Sequence, residues 1–425
     1  MKGALPVEMK FLTALHLIDF RHNTIQGSIP SLFKELTQLQ FFDLRNNELT
    51  GSIPAWIGNS FQNLKELGLS FNQMTGTLPS SMNQLEKLKT LALAHNDFEA
   101  SLAPIMHLPE LEYLYLENNR FKDKVNDEFL VDSTSLVQLD LSCNLLTGQG
   151  LPHHFFAYPN LKVLDLSDNQ INGTIQDVRI RKHPLEFLSL SNNSLTGTLP
   201  TTIAYLRSLR HLDLTGNHLS GDIPSTLGNM QSLNHLFLSE NNWTPGPIPM
   251  FLSEMSNLQE LGLRATNRTG SLSSQWFERL ELLEVFDISN NEMTGSIPSR
   301  LLANSHLHYA LLNCNEFDGE LSIEDIDSNL DILFLDKDKV TGNLTGLCAG
   351  SNITIVADCV DDEIVCECCH CCAESDAMCN NYVLYLNEEL SWENNYTRTR
   401  YAFSPVPLMP KTTGRHSQGI QVNHA

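Results

Sequence analysis

The chain has 425 residues, of which 41% are hydrophobic, and its 50 Asp and Glu residues outnumber its 27 Lys and Arg residues, giving a net charge of −23. This acidic excess argues against nucleic-acid binding, because contact with phosphates requires basic patches. No stretch approaches the ~20 apolar residues that a membrane-spanning helix needs. No charged segment followed by an apolar one opens the chain as a signal peptide would.

A pattern of leucine, asparagine and glycine recurs along most of the chain. The segment LEFLSLSNNSLTGTLP at residues 185–200 is matched by LQFFDLRNNELTGSIP and LRHLDLTGNHLSGDIP, and the asparagine position returns every 23 to 25 residues. We number the copies as coils 1 to 14 by the residue at this position: Asn23, Asn47, Asn72, Asn96, Asn119, Asn144, Asn169, Asn193, Asn217, Asn241, Thr266, Asn291, Asn315 and Asp338.

The leucines of each copy predict a short strand with one buried face. In coil 8, Leu185, Leu188 and Leu190 share that face, while Phe187 and Ser189 between them point outward. Strands of successive coils are expected side by side, about 4.8 Å apart, in a parallel sheet. One copy cannot bury its leucines alone, so neighbours must stack. The sequence therefore predicts a solenoid.

The asparagines are predicted to form a structural ladder along the solenoid. A buried amide both donates and accepts hydrogen bonds, so it can satisfy backbone groups of adjacent coils. Thr266 and Asp338 keep only part of that capacity. We expect those two coils to be weaker than the others but not broken.

The template LxxLxLxxNxLxGxIP is that of leucine-rich repeats, and its GxIP ending with a period near 24 residues resembles the plant-type class, including receptor-like protein ectodomains. The resemblance covers roughly residues 1–345. It implies a right-handed superhelix with a parallel sheet on the concave face and short second strands, turns or 3-10 segments on the convex side. It also implies an extracellular or cell-surface recognition module that binds a protein, peptide or glycan on the concave face. A secreted structural or inhibitory cell-wall protein without a signalling role is the alternative.

The first residues read MKGALP, and GALP matches the GxLP ending of a copy whose leucine strand is absent. Solenoid ends are normally covered by capping repeats. This predicts an incomplete N-terminus with a signal peptide, a cap or a membrane anchor upstream. With such an anchor, the protein would be expected at the plasma membrane.

Eight of the ten cysteines lie between residues 348 and 379. An even number in a short segment predicts a disulfide-stapled cap at residues 346–380, before a tail at 381–425 that is largely disordered at its end. The stretch LCAGSNITIVADCVDDEIVCECCHCC also resembles the cysteine-rich module of some microalgal leucine-rich repeat proteins. Zinc or copper(I) binding is the alternative, which we set second because adjacent pairs dominate over spaced CxxC knuckles. The disulfide candidates are Cys348, Cys359, Cys366, Cys368, Cys369, Cys371, Cys372 and Cys379.

Two further cysteines, Cys143 and Cys314, directly precede the ladder position in coils 6 and 13. Seven coils separate them by roughly 34 Å, so they are predicted not to pair with each other. Seven N-x-Ser/Thr sequons, together with the cysteine tail, favour secretion. The glycosylation candidates are Asn172, Asn192, Asn242, Asn267, Asn343, Asn352 and Asn395.

Enzyme signatures such as a P-loop, GxSxG, HExxH or kinase motifs do not occur in the sequence. We therefore predict no enzyme activity, no cofactor and no catalytic metal. Outward strand positions form the predicted binding surface, and large side chains there mark its candidate contacts. In coils 8 to 11 and coil 5 these are Phe187, His211, His235, Phe237, Arg264, Tyr113 and Tyr115. Arg21 and Arg45 form a basic pair near the start, and coils 5, 6 and 10 carry irregular segments expected to bind or to adjust curvature.

Overall fold

Each coil contributes a short strand to one parallel sheet of 16 strands, which we call the long sheet. The computed structural model describes residues 1–322, 329–348, 353–358, 364–366 and 368–371, all within the unit Met1–Glu374. In spatial order the strands are Leu17–Asp19, Phe41–Asp43, Glu66–Gly68, Thr90–Ala92, Tyr113–Tyr115, Gln138–Asp140, Val163–Asp165, Phe187–Ser189, His211–Asp213, His235–Phe237, Glu260–Gly262, Val285–Asp287, Tyr309–Leu311, Ile332–Phe334, Thr354–Ala357 and Cys369–Cys371.

The register of the long sheet follows from the leucine pattern. Leu188 pairs with Leu212, and Leu212 pairs with Leu236, so equivalent leucines lie in one column. All three side chains are fully buried. The predicted fold, a solenoid whose hydrophobic core exists only because neighbouring coils stack, is confirmed.

Second strands form three shorter parallel sheets, with breaks between coils 4 and 5 and between coils 10 and 11. The first break falls where coils 4 and 5 lack the GxIP ending, and the second follows the TPGPIP segment of coil 10. The strands are Lys2–Ala4, Thr24–Gly27, Glu48–Gly51, Gln73–Gly76 and Asp97–Phe98; Lys124–Val125, Thr147–Gln149, Gln170–Thr174, Ser194–Gly197, His218–Gly221 and Asn242–Trp243; Thr269–Gly270, Glu292–Gly295, Glu316–Ser322, Lys339–Asn343 and Ile364–Val365.

Short helices lie on the side opposite the long sheet, many of them directly after the proline of GxIP. Pro200 has extended dihedrals (φ −68°, ψ 138°), and a 3-10 helix begins at Thr201. Gly197 needs its φ of +79°, where a Cβ would lie 2.9 Å from Thr174 Cγ2. The 3-10 helices are Val7–Phe11, Ser31–Glu35, Ser80–Gln84, Ala103–Ile105, His153–Ala157, Thr201–Tyr205, Ser225–Asn229 and Met250–Glu254; the α-helices are Ile57–Ser60, Ser274–Phe277, Ser299–Leu302 and Thr345–Cys348. Within the described residues no helix has the length and hydropathy to cross a membrane.

The long sheet continues past the predicted boundary at residue 345. Thr354–Ala357 pairs with Ile332–Phe334, and Cys369–Cys371 pairs with Thr354–Ala357. Disulfides join Cys348 to Cys368 and Cys366 to Cys369, and Cys366 and Cys369 pack against the hydrophobic core. The cysteine-rich segment thus extends the stack of coils, and two of its cysteine side chains pack against the hydrophobic core.

Some predicted features lie outside the described residues or have only partial descriptions. Cys371 is also disulfide-bonded. Cys143 and Cys314 form no disulfide with another described residue. The predicted sites Cys359, Cys372, Cys379, Asn352 and Asn395 and the predicted tail at 381–425 lie outside the described residues.

Candidate ligand-binding surface

The ladder asparagine follows the strand of its coil and binds backbone groups of two coils, its own and the preceding one. Asn193 Nδ2 donates to the carbonyl oxygens of Leu166, Leu190 and Ser191 at 2.9, 3.1 and 3.1 Å. Its Oδ1 accepts a hydrogen bond from Ile171 N at 3.0 Å. The same three donations recur at every ladder asparagine from coil 2 to coil 13. These contacts hold the outer strand positions at a fixed spacing.

In coil 11, other side chains donate some of the hydrogen bonds that a ladder amide would donate. Thr266 Oγ1 donates to Leu263 O at 2.5 Å. Trp243 Nε1 donates to Leu238 O at 2.9 Å, the carbonyl that an amide in coil 11 would reach. Arg268, which is 4% exposed, donates through Nε to Thr266 O at 3.0 Å and through its Nη atoms to the carbonyls of the inserted TPGP segment.

In coil 14 the ladder position holds a carboxyl group. Asp338 Oδ1 accepts from Phe317 N at 3.1 Å, as an asparagine oxygen would. Oδ2 has no hydrogen-bond partner among the described residues. In coil 13 the equivalent amide nitrogen of Asn315 faces three carbonyl oxygens, which an ionised oxygen would repel. Burial, more than any other cause, raises the pKa of Asp338 to about 8.

The structure brings together the aromatic residues predicted as a binding cluster. The rings of Phe187 and His211 stack with centroids 4.3 Å apart and planes 6° from parallel. His211 also lies 5.7 Å from His235 and 5.6 Å from Phe237, between ring centroids. Phe237 leans over the next strand because Gly262 has no Cβ, which would lie 2.8 Å from Phe237 Cδ1.

These side chains are buried, although the alternation of the strand predicts that they point outward. Phe187, His211, His235 and Phe237 are only 2 to 4% exposed. Strands about 4.8 Å apart hold large outward side chains so close that each covers the next. The cluster, defined by these four residues, is therefore a rigid floor with little open area of its own.

Titratable side chains lie within this floor and next to it. His235 Nδ1 lies 3.0 Å from Glu260 Oε2, and both side chains are buried. Burial, and then the neighbouring His235, lowers the pKa of His211 well below its usual value, so His211 is neutral near pH 7. Burial raises the pKa of Asp213 to about 6. Arg264, next to the floor, is partly accessible: its side chain is 30% exposed and its Nη1 lies 3.6 Å from Glu240 Oε1.

The two tyrosines of the second predicted patch differ in exposure. Tyr113 is partly exposed, while Tyr115 is buried and its hydroxyl donates to Gln138 Oε1. Burial raises the pKa of Tyr115. Tyr113 is therefore the tyrosine that a ligand can contact, and Tyr115 packs between coils.

The basic pair noted near the start is neutralised by a carboxylate network that the sequence analysis missed. Arg21 Nε lies 3.2 Å from Asp43 Oδ2, and Arg45 Nη2 lies 3.1 Å from Glu66 Oε1. Arg21 also binds Asp19 at 2.9 Å. The signal was the spacing Asp-x-Arg, which places both side chains on the same face of a strand.

The predicted glycosylation sites within the described residues are all exposed. Three of them have side-chain hydrogen bonds: Asn267 Nδ2 donates to Trp243 O at 3.1 Å, Asn192 Nδ2 donates to Asp168 Oδ1 at 3.0 Å, and Asn343 Oδ1 accepts from Thr345 N at 2.9 Å. Exposure is the condition that attachment of a glycan requires. The exposed set is Asn172, Asn192, Asn242, Asn267 and Asn343.

Family models and curated proteins match the repeats. The models described as leucine-rich repeat and leucine-rich repeat region match residues 38–60, 62–121, 109–171 and 146–308. Receptor-like protein 39 of Arabidopsis thaliana is 33% identical over 113 residues, which is 26% of this chain and 13% of that protein. Fibromodulin of Oryctolagus cuniculus is 31% identical over 131 residues, 26% of this chain and 88% of that sequence.

Solved structures of plant receptors share the fold. The peptide hormone receptor RGFR1 in complex with RGF2 has a TM-score of 0.72 and 25% identity, over 84% of this chain and 61% of that one. The ectodomain of the receptor kinase GASSHO1/SCHENGEN3 from Arabidopsis thaliana, in complex with CASPARIAN STRIP INTEGRITY FACTOR 2, has a TM-score of 0.68 and 26% identity, over 86% and 50%. The chain thus spans only part of the length of these plant proteins.

Proposed function

Because the chain belongs to the leucine-rich repeat proteins, we propose that it is a recognition module that binds a peptide or another protein on the outer face of the long sheet. The observation that carries this proposal is the single sheet of 16 parallel strands, whose ladder contacts hold its outward side chains in fixed rows. Similar ectodomains have been solved with a peptide hormone or with CASPARIAN STRIP INTEGRITY FACTOR 2, which supports a ligand of this class.

The cluster supplies a rigid base for such a ligand rather than its accessible contacts. The stacked rings are already immobile in the free protein. A ligand that contacts them therefore binds without the entropy cost of ordering these side chains. Arg264 and Tyr113 are the exposed residues of the predicted set and would make the direct contacts. Arginine and tyrosine are both enriched among residues that dominate binding energies.

The compartment that fits this function is extracellular or the cell surface. Two disulfides and five exposed sequons support it, because disulfides persist in oxidising compartments. Within that compartment we favour part of a receptor-like protein, on its similarity to Receptor-like protein 39. The alternative is a secreted structural or inhibitory protein, in which the solenoid itself is the product.

The proposal is tested with peptides selected on the purified, secreted chain from a random phage-displayed library. Arg264→Ala is expected to weaken the selected peptides about tenfold or more, because an exposed arginine contact is lost. Arg279→Ala is the matched control: Arg279 also makes one loose ion pair, 3.9 Å to Glu254, but lies on the helical side. Loss of binding in Arg279→Ala with none in Arg264→Ala would place the binding surface on the other side.

A further inference from the structure

Four cysteine sulfurs meet where the long sheet ends. Cys348 is bonded to Cys368, and Cys366 is bonded to Cys369. Cys348 Sγ and Cys366 Sγ belong to different disulfides but lie only 3.9 Å apart. The Sγ atoms of Cys348, Cys366 and Cys368 all lie within 4.8 Å of one another.

This spacing is that of a tetrahedral metal site. Zinc binds thiolates at about 2.3 Å, which places two sulfur ligands of a tetrahedron about 3.8 Å apart. The contact between Cys348 and Cys366 already has this length. Once the two S–S bonds are broken, Cys368 Sγ must move away from Cys348 Sγ, and Cys369 Sγ must move away from Cys366 Sγ and toward the other two sulfurs, to complete the four corners.

The positions of the four residues are fixed by regular structure. Cys348 ends the helix Thr345–Cys348, and Cys366 directly follows the strand Ile364–Val365. Cys368 and Cys369 lie at the start of the strand Cys369–Cys371, which is hydrogen-bonded to the long sheet. Cys366 and Cys369 pack against the core, whereas Cys368 is exposed and gives a reductant access. The backbone therefore holds the ligands near one point without the disulfides.

We propose that Cys348, Cys366, Cys368 and Cys369 form one Zn²⁺ site when both disulfides are reduced. Each disulfide takes two electrons and two protons from one dithiol reductant, which itself becomes a disulfide, so the pair consumes two equivalents. Zn²⁺ then binds the four sulfurs as thiolates and releases four protons. The oxidised centre staples the last coils in an oxidising compartment, and the zinc centre staples them in a reducing one. This proposal does not rest on the proposed ligand-binding function.

The test uses the full chain, reduced without oxygen by a phosphine, which becomes its oxide with oxygen from water. Co²⁺ is the probe, because its visible absorption reports tetrahedral thiolate coordination. We expect one Co²⁺ per reduced chain, displaced by one Zn²⁺, and no such bands in the oxidised chain. Cys348→Ser and Cys369→Ser should each lower affinity by about 100-fold or more, since loss of a direct ligand costs more than loss of a supporting contact. The double variant Cys143→Ser, Cys314→Ser should bind as the unchanged chain does.

Cys369→His separates loss of a ligand from loss of folding. Imidazole is a zinc ligand but forms no disulfide, so this variant should bind Co²⁺ more tightly than Cys369→Ser does. Equal binding in the oxidised chain, or full binding in Cys348→Ser, would overturn the proposed ligand set. So would binding that is lost only on replacing Cys371 or Cys372.

Discussion

At the ladder position, coil 11 has Thr266 and coil 14 has Asp338, where twelve other coils have asparagine. In coil 11 Trp243 makes the hydrogen bond to Leu238 O that the ladder amide would make, and Arg268 adds hydrogen bonds to other carbonyls, those of Thr266 and of the TPGP segment. None of these donors titrates near neutral pH. Coil 10 therefore supplies, through Trp243, one of the hydrogen bonds that coil 11 lacks.

Among the described residues around coil 14, no side chain substitutes for the missing donor. Asp338 keeps the accepting half of the asparagine role, and only a bound proton can restore the donating half. The raised pKa of about 8 expresses this requirement. A solenoid can therefore lack a ladder asparagine in two ways. A donor from a neighbouring coil can replace it, as in coil 11, or a protonated carboxyl group can, as in coil 14, and only the second depends on pH.

Removal of a regular ladder amide should have the largest effect. Asn217→Ala removes the side-chain hydrogen bonds to Leu190 O, Leu214 O and Thr215 O, each of which keeps one other donor, and it removes the acceptor for Leu195 N. The three lost bonds to carbonyls contribute about 1 kcal/mol each and the unsatisfied Leu195 N about 1–3 kcal/mol, so we expect the free energy of unfolding to fall by about 4–6 kcal/mol. Urea unfolding measures it. Asn229→Ala, at an exposed helix end, is the control and should stay within about 0.5 kcal/mol.

Asp338→Asn should stabilise the protein, and the gain should depend on pH. The carboxyl pKa is 3.8 when unfolded and about 8 when folded, so between these values the folded chain holds a proton that the unfolded chain has lost. Stability of the unchanged protein therefore falls as pH rises from about 4 to 8, by up to about 1.4 kcal/mol per pH unit. We expect the variant to gain roughly 3–5 kcal/mol at pH 8 and almost nothing at pH 4.

Urea unfolding of both proteins from pH 4 to pH 8 checks this prediction. Asp331→Asn is a matched control, because Asp331 is exposed and pairs with His308 at 2.9 Å. Its effect should stay within about 1 kcal/mol across the range. A constant difference between Asp338→Asn and the unchanged protein at every pH would show that coil 14 does not depend on the proton.

The sequence predicted the long sheet because leucine spacing alone dictates which residues must stack. It identified irregular segments in coils 5, 6 and 10 but did not predict that the second strands break between coils 4 and 5 and between coils 10 and 11. It did not predict the burial of Phe187 and Phe237, because alternation gives the direction of a side chain but not how far its neighbours cover it. The contacts of Arg268 with Thr244 and Pro247 also escaped prediction, since they join residues more than twenty positions apart through an irregular segment. The indole contact of Trp243 with Leu238 O, five positions away, was not predicted either.

Arg268→Met tests whether the hydrogen bonds of Arg268 stabilise coil 11. Methionine keeps much of the buried hydrocarbon but leaves the carbonyls of Thr244, Pro247 and Thr266 without the guanidinium. We expect the free energy of unfolding to fall by about 2–3 kcal/mol. Hydrogen exchange should quicken first in Asn242–Trp243 and Thr269–Gly270. Arg279→Met, an exposed arginine with one long ion pair, should change stability by less than about 0.5 kcal/mol.

Trp243→Phe should have the smallest effect, because it removes one donor and keeps an aromatic ring in the core. Leu238 O would retain only the longer bond from Asn241 Nδ2, at 3.3 Å instead of 2.9 Å from the indole. We expect a loss of about 1 kcal/mol by urea unfolding. In combination with Thr266→Asn, the restored amide would reach Leu238 O and the loss should disappear. A loss that persists in the double variant would mean that Trp243 stabilises coil 11 through packing alone.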